Sequence, residues 1–158
     1  MTKHILVVCT GNICRSPMAK VLLQKALVDQ GLDGQVTVDS AGTYAVIGAP
    51  ASKGSVNAMK ARGLDLTPHV AKQITASMVE QADLILVMEE RHRRSIFVTW
   101  PKALAKTLLL SELAGESVDI EDPYGGEQWE YDRAAAIIED YVMRGMPMLL
   151  QRLGLAGK

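Results

Sequence analysis

The sequence predicts an α/β fold: a four-stranded parallel sheet with helices on both faces and a tight loop after strand one. Three observations carry this. Residues 5–8, Ile5-Leu6-Val7-Val8, form an unbroken β-branched and leucine run, as in a strand buried on both faces. The run stops at Cys9-Thr10-Gly11-Asn12, a turn-type cluster. From there strand-like and helix-like segments alternate, the pattern of a sheet with crossover helices. No repeat, low-complexity tract or linker interrupts residues 1–158, so one domain is expected.

The elements follow in order. Ser16-Pro17 reads as a helix start, with serine as N-cap and proline at the first helical position. Met18, Val21, Leu22, Ala26 and Leu27 continue at helical spacing, and Gly31 is the expected stop. Residues 36–39 read as a second strand, followed by Ser40-Ala41-Gly42. A loop over 44–50 leads to a helix over 52–62, closed by Gly63. A short helix over 75–81 precedes a third buried strand at 84–88. Charged residues dominate 89–94, and the run Arg91-His92-Arg93-Arg94 reads as a solvated helix face. Residues 107–110 form a fourth strand and 111–114 a helical turn. Asp122-Pro123-Tyr124-Gly125-Gly126 is a loop by its proline and glycines. The rest, from 127, reads as a helix that Gly145 and Pro147 should kink, with Trp129 in the core.

Composition narrows the class. Of 158 residues, 48% are hydrophobic and 22% charged, an ordinary globular balance. A net charge of −1 gives no general attraction to nucleic acid or acidic membranes. No stretch approaches the ~20 apolar residues of a membrane span, and the N-terminal run is too short for a secretory signal. Two cysteines five positions apart make neither a disulfide framework nor a zinc site, so a reducing cytoplasm is expected.

In open parallel sheets, ligands bind beyond the C-terminal ends of the strands. That gathers the Cys9 loop, Ser40-Ala41-Gly42 and the Asp122 loop at one edge. Cys9-x5-Arg15, set between a buried strand and a helix start, has the chemistry of an anion cradle. Successive backbone N–H groups converge on one anion and the helix N-terminus adds partial positive charge. Gly11 eases the tight backbone. Arg15 offers a planar charged fork that matches two phosphate oxygens. In this field the thiolate of Cys9 is favoured, and the Ser16 hydroxyl can donate to it. An isolated cysteine at a strand end is more often simple packing. Here strand, glycine, arginine, Ser-Pro and helix occur in the order that a nucleophile beneath a phosphate requires. Expelling an alkoxide or phenolate then calls for a general acid from the same edge. Asp119, Glu121 and Asp122 all qualify by residue type, and Pro123 stiffens the backbone after Asp122.

Cys9-Thr10-Gly11-Asn12-Ile13-Cys14-Arg15-Ser16-Pro17 resembles the signature of the low-molecular-weight protein tyrosine phosphatases. Asp39-Ser40-Ala41-Gly42-Thr43, His69-Val70-Ala71-Lys72-Gln73 and Asp122-Pro123-Tyr124-Gly125 occur in that family's order at similar spacing. The resemblance implies Cys9 as nucleophile, Arg15 as phosphate ligand and Asp122 as general acid, with Thr10 to Cys14 completing the loop. It assigns Asn12, Ser40 and His69 to a hydrogen-bond network that shapes the loop, and Ser16 to thiolate stabilisation. It also implies a reversible disulfide between Cys9 and Cys14 that protects the nucleophile. No cofactor or metal is called for, since Arg15 and backbone donors supply the charge stabilisation.

Tyr124 and Tyr44 are expected at the mouth of the site. Ala45-Val46-Ile47-Gly48 departs from better-known members of the family, which often carry Trp or Tyr in this loop. Arsenate reductases of this fold need a further cysteine pair, which this chain lacks. Arginine phosphatases are expected to carry Thr at the position of Ile13, whose apolar side chain suits a phenyl ring better than a guanidinium. Phosphotyrosine on a protein is therefore the expected substrate, with a tyrosine kinase one candidate. A non-catalytic phosphate-binding module would need neither a thiol nor an acid.

Overall fold

The computed structural model describes residues 2–156. The elements are β1 (Lys3–Cys9), α1 (Arg15–Asp29), β2 (Val36–Gly42), α2 (Lys53–Lys60), α3 (Ala76–Gln81), β3 (Leu84–Val87), α4 (Glu90–Thr99), β4 (Thr107–Leu109) and α5 (Gln128–Arg152). Short 3-10 turns, Pro101–Lys106 and Leu110–Ala114, flank β4. The strands form one parallel sheet in the order β2-β1-β3-β4.

Alternation along β1 decides which layer each side chain joins. Ile5, Val7 and Cys9 face a core made with α1, α2 and α5. Leu6 and Val8 face a second core with Ile74, Val79, Ile96 and Ala103, on the side of α3 and α4. Both faces are covered, so β1 and β3 are apolar at consecutive positions. Each fully buried Leu or Ile contributes ~1.5–3 kcal/mol of transfer free energy. The sheet is thus a rigid base from which loops project.

Several expectations needed correction. Helix α1 begins at Arg15, with Cys14 at the cap position. Ser16 does not cap it, because its hydroxyl is turned into the loop toward Cys9 and Asn12. Helix α5 runs without interruption past both Gly145 and Pro147. Gly145 is there for a close approach: a Cβ would sit 2.5 Å from Leu113 Cβ. Pro147 lies on the exposed side, where water can serve the carbonyl its ring leaves unpaired, while Ile138, Val142, Met146 and Leu149 hold the buried side together. Trp129 is 59% exposed, not core. It lies in the first turn of α5, whose nearest buried position is Tyr131. The run 91–94 is not a solvated face throughout, since His92 is 1% exposed.

The strand order puts a topological switch at β1. The chain leaves β1 for β2 on one side and later returns to β3 on the other. Such a switch opens a crevice beyond the strand C-termini, here between the Cys9 loop and Glu89.

Candidate active site

The loop between β1 and α1 is held by its carbonyls. Those of Cys9, Thr10 and Gly11 accept from the N–H groups of Thr43, Tyr44 and Val46, each at 3.0 Å, and Ile13 O accepts from Ser52 N at 2.7 Å. The Asn12 carbonyl accepts from His69 Nε2 at 2.6 Å, and that of Cys14 from Ser55 Oγ at 3.2 Å. With the carbonyls turned outward, the amides are left to the inside. Among the described residues, no backbone N–H of residues 10–14 donates to a protein acceptor. A concave row of free N–H groups is an anion site.

Asn12 makes this turn at φ 59°, the only positive φ at a described non-glycine residue. Asparagine tolerates the left-handed region better than most side chains. Its carboxamide is fully used: Oδ1 accepts from Lys72 N at 2.9 Å, while Nδ2 donates to Ser16 Oγ at 2.8 Å and Ser40 Oγ at 3.0 Å. Ser16 Oγ, receiving that bond, has its own proton for Cys9 Sγ at 2.9 Å. Burial pushes the His69 imidazole toward its neutral form, which fits a ring that donates to a carbonyl.

Gly42, at the end of β2, lets the sheet approach this loop. A Cβ there would stand 2.3 Å from the Thr10 carbonyl and 3.1 Å from Asn12 N. Both obstacles are backbone, so Gly42→Ala must displace the loop. We expect a loss of ~100-fold or more in kcat/KM, the scale of a ~1 Å misplacement; aryl phosphate kinetics on the folded variant measure it.

Arg15 is 1% exposed, and its guanidinium is anchored on one side only. Nη1 donates to Glu89 Oε2 and to the Ile120 carbonyl. Nη2 lies 3.6 Å from Asp122 Oδ2, while Nε has no protein partner. The Nε–Nη2 edge is thus the one open to an oxyanion. Asp122 is fixed by its own loop, with Oδ1 accepting from Tyr124 N at 3.1 Å. Cys9, Thr10, Gly11, Ile13, Cys14, Arg15, Tyr44, Val46, Asp122 and Tyr124 together line a cavity of about 220 Å³. Asn12, Ser16, Ser40 and His69 lie in the bonded network behind the loop. Asp119 and Glu121 line a different cavity, which shares Asp122 with this one but does not include Cys9 or Arg15.

The family model of the low molecular weight phosphotyrosine protein phosphatases matches residues 4–153. The chain belongs to that family. It is 42% identical over 149 residues to the probable low molecular weight protein-tyrosine-phosphatase EpsP of Ralstonia solanacearum, covering 94% of this chain and 97% of that one. It is 41% identical over 140 residues to the low molecular weight protein-tyrosine-phosphatase Ptp of Acinetobacter johnsonii, covering 89% and 93%. Among solved structures, the YwlE arginine phosphatase of Geobacillus stearothermophilus superposes with a TM-score of 0.85 at 33% identity, covering 99% of both chains.

In this phosphatase, two residues at the site escaped the sequence reading. Glu89 opens the charge-rich stretch 89–94, to which the sequence assigns no role at the site, yet it holds Arg15. Burial opposes its charge, but hydrogen bonds from Arg91 and Arg15 outweigh that and hold its carboxyl down at about 2. Its position two residues after β3, at the same sheet edge as Cys9, is the available signal. His92 is the second. Burial, and then the nearby Arg15 charge, press its imidazole from 6.5 to about 4. Below pH 6.5 the unfolded chain therefore takes up this proton before the folded one. Stability should fall as pH drops from 6.5 to about 4, by up to about 3 kcal/mol for this group. Urea unfolding across that window should show a smaller loss in His92→Asn than in the native chain, the remainder coming from His69 and from paired carboxylates such as Glu89.

Cys14 is a free thiol, as is Cys9. It sits 3.0 Å from Ser52 Oγ, and burial pushes it up to about 11. Among the described residues, no helix is long and apolar enough to cross a membrane.

Proposed function

We propose that this chain hydrolyses protein phosphotyrosine, with Cys9 as nucleophile, Arg15 and the loop N–H groups as phosphate ligands, and Asp122 as general acid. The Cys9 thiolate attacks phosphorus, and the bond to the phenolic oxygen breaks as Asp122 delivers its proton to that oxygen. Asp122, now a carboxylate, takes a proton from water. The water oxygen attacks phosphorus, the P–S bond breaks, and the thiolate and inorganic phosphate are released. Ser16 supports the thiolate in both half-reactions. The observation that carries this reading is the juxtaposition of Cys9, the open Nε–Nη2 edge of Arg15 and Asp122 around one cavity.

The cavity walls support an aromatic substrate. Ile13 and Val46 give apolar sides, and Tyr44 and Tyr124 stand exposed at the mouth. The likeness to an arginine phosphatase favours a second reading, phosphoarginine hydrolysis. Ile13 argues against it, because an apolar wall does not satisfy a guanidinium's donors. The test is kcat/KM on a phosphotyrosine peptide and on its phosphoarginine counterpart, with vanadate as inhibitor. Preference for phosphotyrosine is expected; preference for phosphoarginine overturns the substrate assignment. A phosphorylated tyrosine kinase falls within the proposed substrate class. A nucleophile that works as a thiolate suits a reducing cytoplasm, to which we assign the activity.

Cys14 serves as the resolving thiol in this reading. Peroxide converts the Cys9 thiolate to a sulfenic acid, which condenses with Cys14 to a disulfide and water. Cys14→Ala should therefore turn thiol-reversible peroxide inactivation into an irreversible loss. Full recovery of Cys14→Ala on adding dithiothreitol contradicts this role.

A further inference from the structure

We propose that His92 is a positioning residue for phosphate capture: its imidazole ties the first turn of α4 to Thr10 and so holds Glu89 where it orients Arg15. The inference rests on the reading of Arg15 as phosphate ligand.

The hydrogen bonds fix the state of the ring. Nδ1 accepts from the Glu89 backbone N–H at 3.0 Å, so that nitrogen carries no proton. In the neutral ring the proton is then on Nε2, which lies 2.8 Å from Thr10 Oγ1 and donates to it. The charged groups facing the ring are Arg15 from α1 and Glu89 and Arg91 from the start of α4. A protonated imidazole would meet two guanidinium groups against one carboxylate and would lose the bond from Glu89 N–H. The neutral tautomer is the one that bonds at both ends.

What the ring braces is the anchor of Arg15. Glu89 Oε1 accepts from Arg91 Nε at 3.0 Å, and Oε2 accepts from Arg91 Nη2 at 3.1 Å and from Arg15. Arg91 Nη2 also donates to Thr10 Oγ1 at 2.9 Å. Thr10 follows the nucleophile, and Glu89 follows β3. His92 and Arg91 therefore span the crevice between the two loops at the switch point. With Glu89 fixed at its amide and both carboxylate oxygens, Arg15 keeps Nη1 engaged and presents its Nε–Nη2 edge. Without the brace, Glu89 and Arg15 can rotate together away from that orientation.

Phosphate affinity reads the effect directly. Inorganic phosphate binding is measured by calorimetry, beside kcat and KM for p-nitrophenyl phosphate. The variants are His92→Ala, His92→Asn, Thr10→Val, Glu89→Gln and the His92→Ala/Glu89→Gln pair. His92→Asn keeps an acceptor for Glu89 N–H, whereas Thr10→Val removes the oxygen to which both His92 and Arg91 donate. His92→Ala should weaken phosphate ~10-fold or more and raise KM with it. His92→Asn should recover most of that loss, and in the Glu89→Gln background His92→Ala should cost less than ~2-fold. Native-like phosphate affinity in folded His92→Ala overturns the inference, as does an undiminished effect in the Glu89→Gln background. Should His92→Ala not fold, Thr10→Val compared in the native and Glu89→Gln backgrounds decides: weakened phosphate binding that shrinks in the Glu89→Gln background supports the brace, and native affinity or an undiminished loss overturns it. Arg15→Ala separates the two levels. Native phosphate affinity there defeats the reading of the site itself, whereas a loss there with no His92 effect defeats only the brace.

Discussion

Cys9→Ser should lower kcat on aryl phosphates by at least ~10⁴-fold, about 5.5 kcal/mol of barrier, while inorganic phosphate still binds. The reason lies in what surrounds the sulfur. Its hydrogen-bond partner is the Ser16 hydroxyl, placed to donate to an anion. No imidazole or carboxylate among the described residues is bonded to Cys9 Sγ, so a serine hydroxyl there has no base to take its proton. A thiol loses its proton far more readily and needs none. The phosphate ligands are unaffected by the exchange: the outward carbonyls of residues 9–14 are held by other segments, and Arg15 keeps its anchors on Glu89 and Ile120. Steady-state kinetics together with phosphate calorimetry on the same sample measure both halves. Turnover within ~10-fold of the native chain would mean that the nucleophile lies elsewhere.

Asp122→Ala should slow turnover by ~10²–10⁴-fold, the usual contribution of a general acid. Its effect should grow as the leaving group becomes more basic. A nitrophenolate departs without much help, whereas an unactivated phenolate, as in phosphotyrosine, needs the proton. Phosphate affinity should hold or tighten, because the Asp122 carboxylate lies 3.6 Å from Arg15 Nη2 and competes with an incoming oxyanion. Pro123 and the bond from Tyr124 N to Asp122 Oδ1 fix the native geometry, but neither supplies a second acid. A series of aryl phosphates of graded leaving-group basicity checks this. Equal losses across the series would assign Asp122 to binding or folding instead of proton delivery.

Much of the molecule was legible because its signals are local. The run from Ile5 to Val8 marks a strand covered on both faces, and it pairs on both edges. The Cys9 loop contains in sequence the residues that meet in space. Long-range partners were harder. Glu89 and His92 carry polar or charged side chains in a run of arginines, and only the sheet order turns them toward Arg15 and Thr10. Their roles depend on β3 lying beside β1, which periodicity does not reveal. The continuous α5 fails the breaker rule for a physical reason. Gly145 accommodates Leu113, and core contacts on both sides of Pro147 exceed the loss of one intrahelical bond. Trp129 shows the converse limit, because an apolar residue in a first turn need not face the core.

Glycine at position 42 belongs to both categories. The sequence places Ser40-Ala41-Gly42 after the second strand, at the sheet edge, whereas β2 itself runs on to Gly42, and the contact that glycine permits with the Thr10 carbonyl is a tertiary fact. The loop at Cys9 is consequently shaped from outside, by Thr43, Tyr44, Val46, Ser52 and His69, and by the left-handed turn at Asn12; Gly11, expected to ease the backbone, has no positive φ and a Cβ there would meet only side chains, the nearest at 3.5 Å.

The central claim is that catalysis passes through a phosphoryl group on Cys9 sulfur. The direct measurement is rapid quenching of the native enzyme during turnover of a ³²P-labelled aryl phosphate, followed by peptide mapping. Label should appear on the peptide containing Cys9, rise to a substantial fraction of the enzyme within one turnover, and be absent from Cys9→Ala. Turnover with no labelled enzyme at any time, or label on a peptide lacking Cys9, contradicts the account.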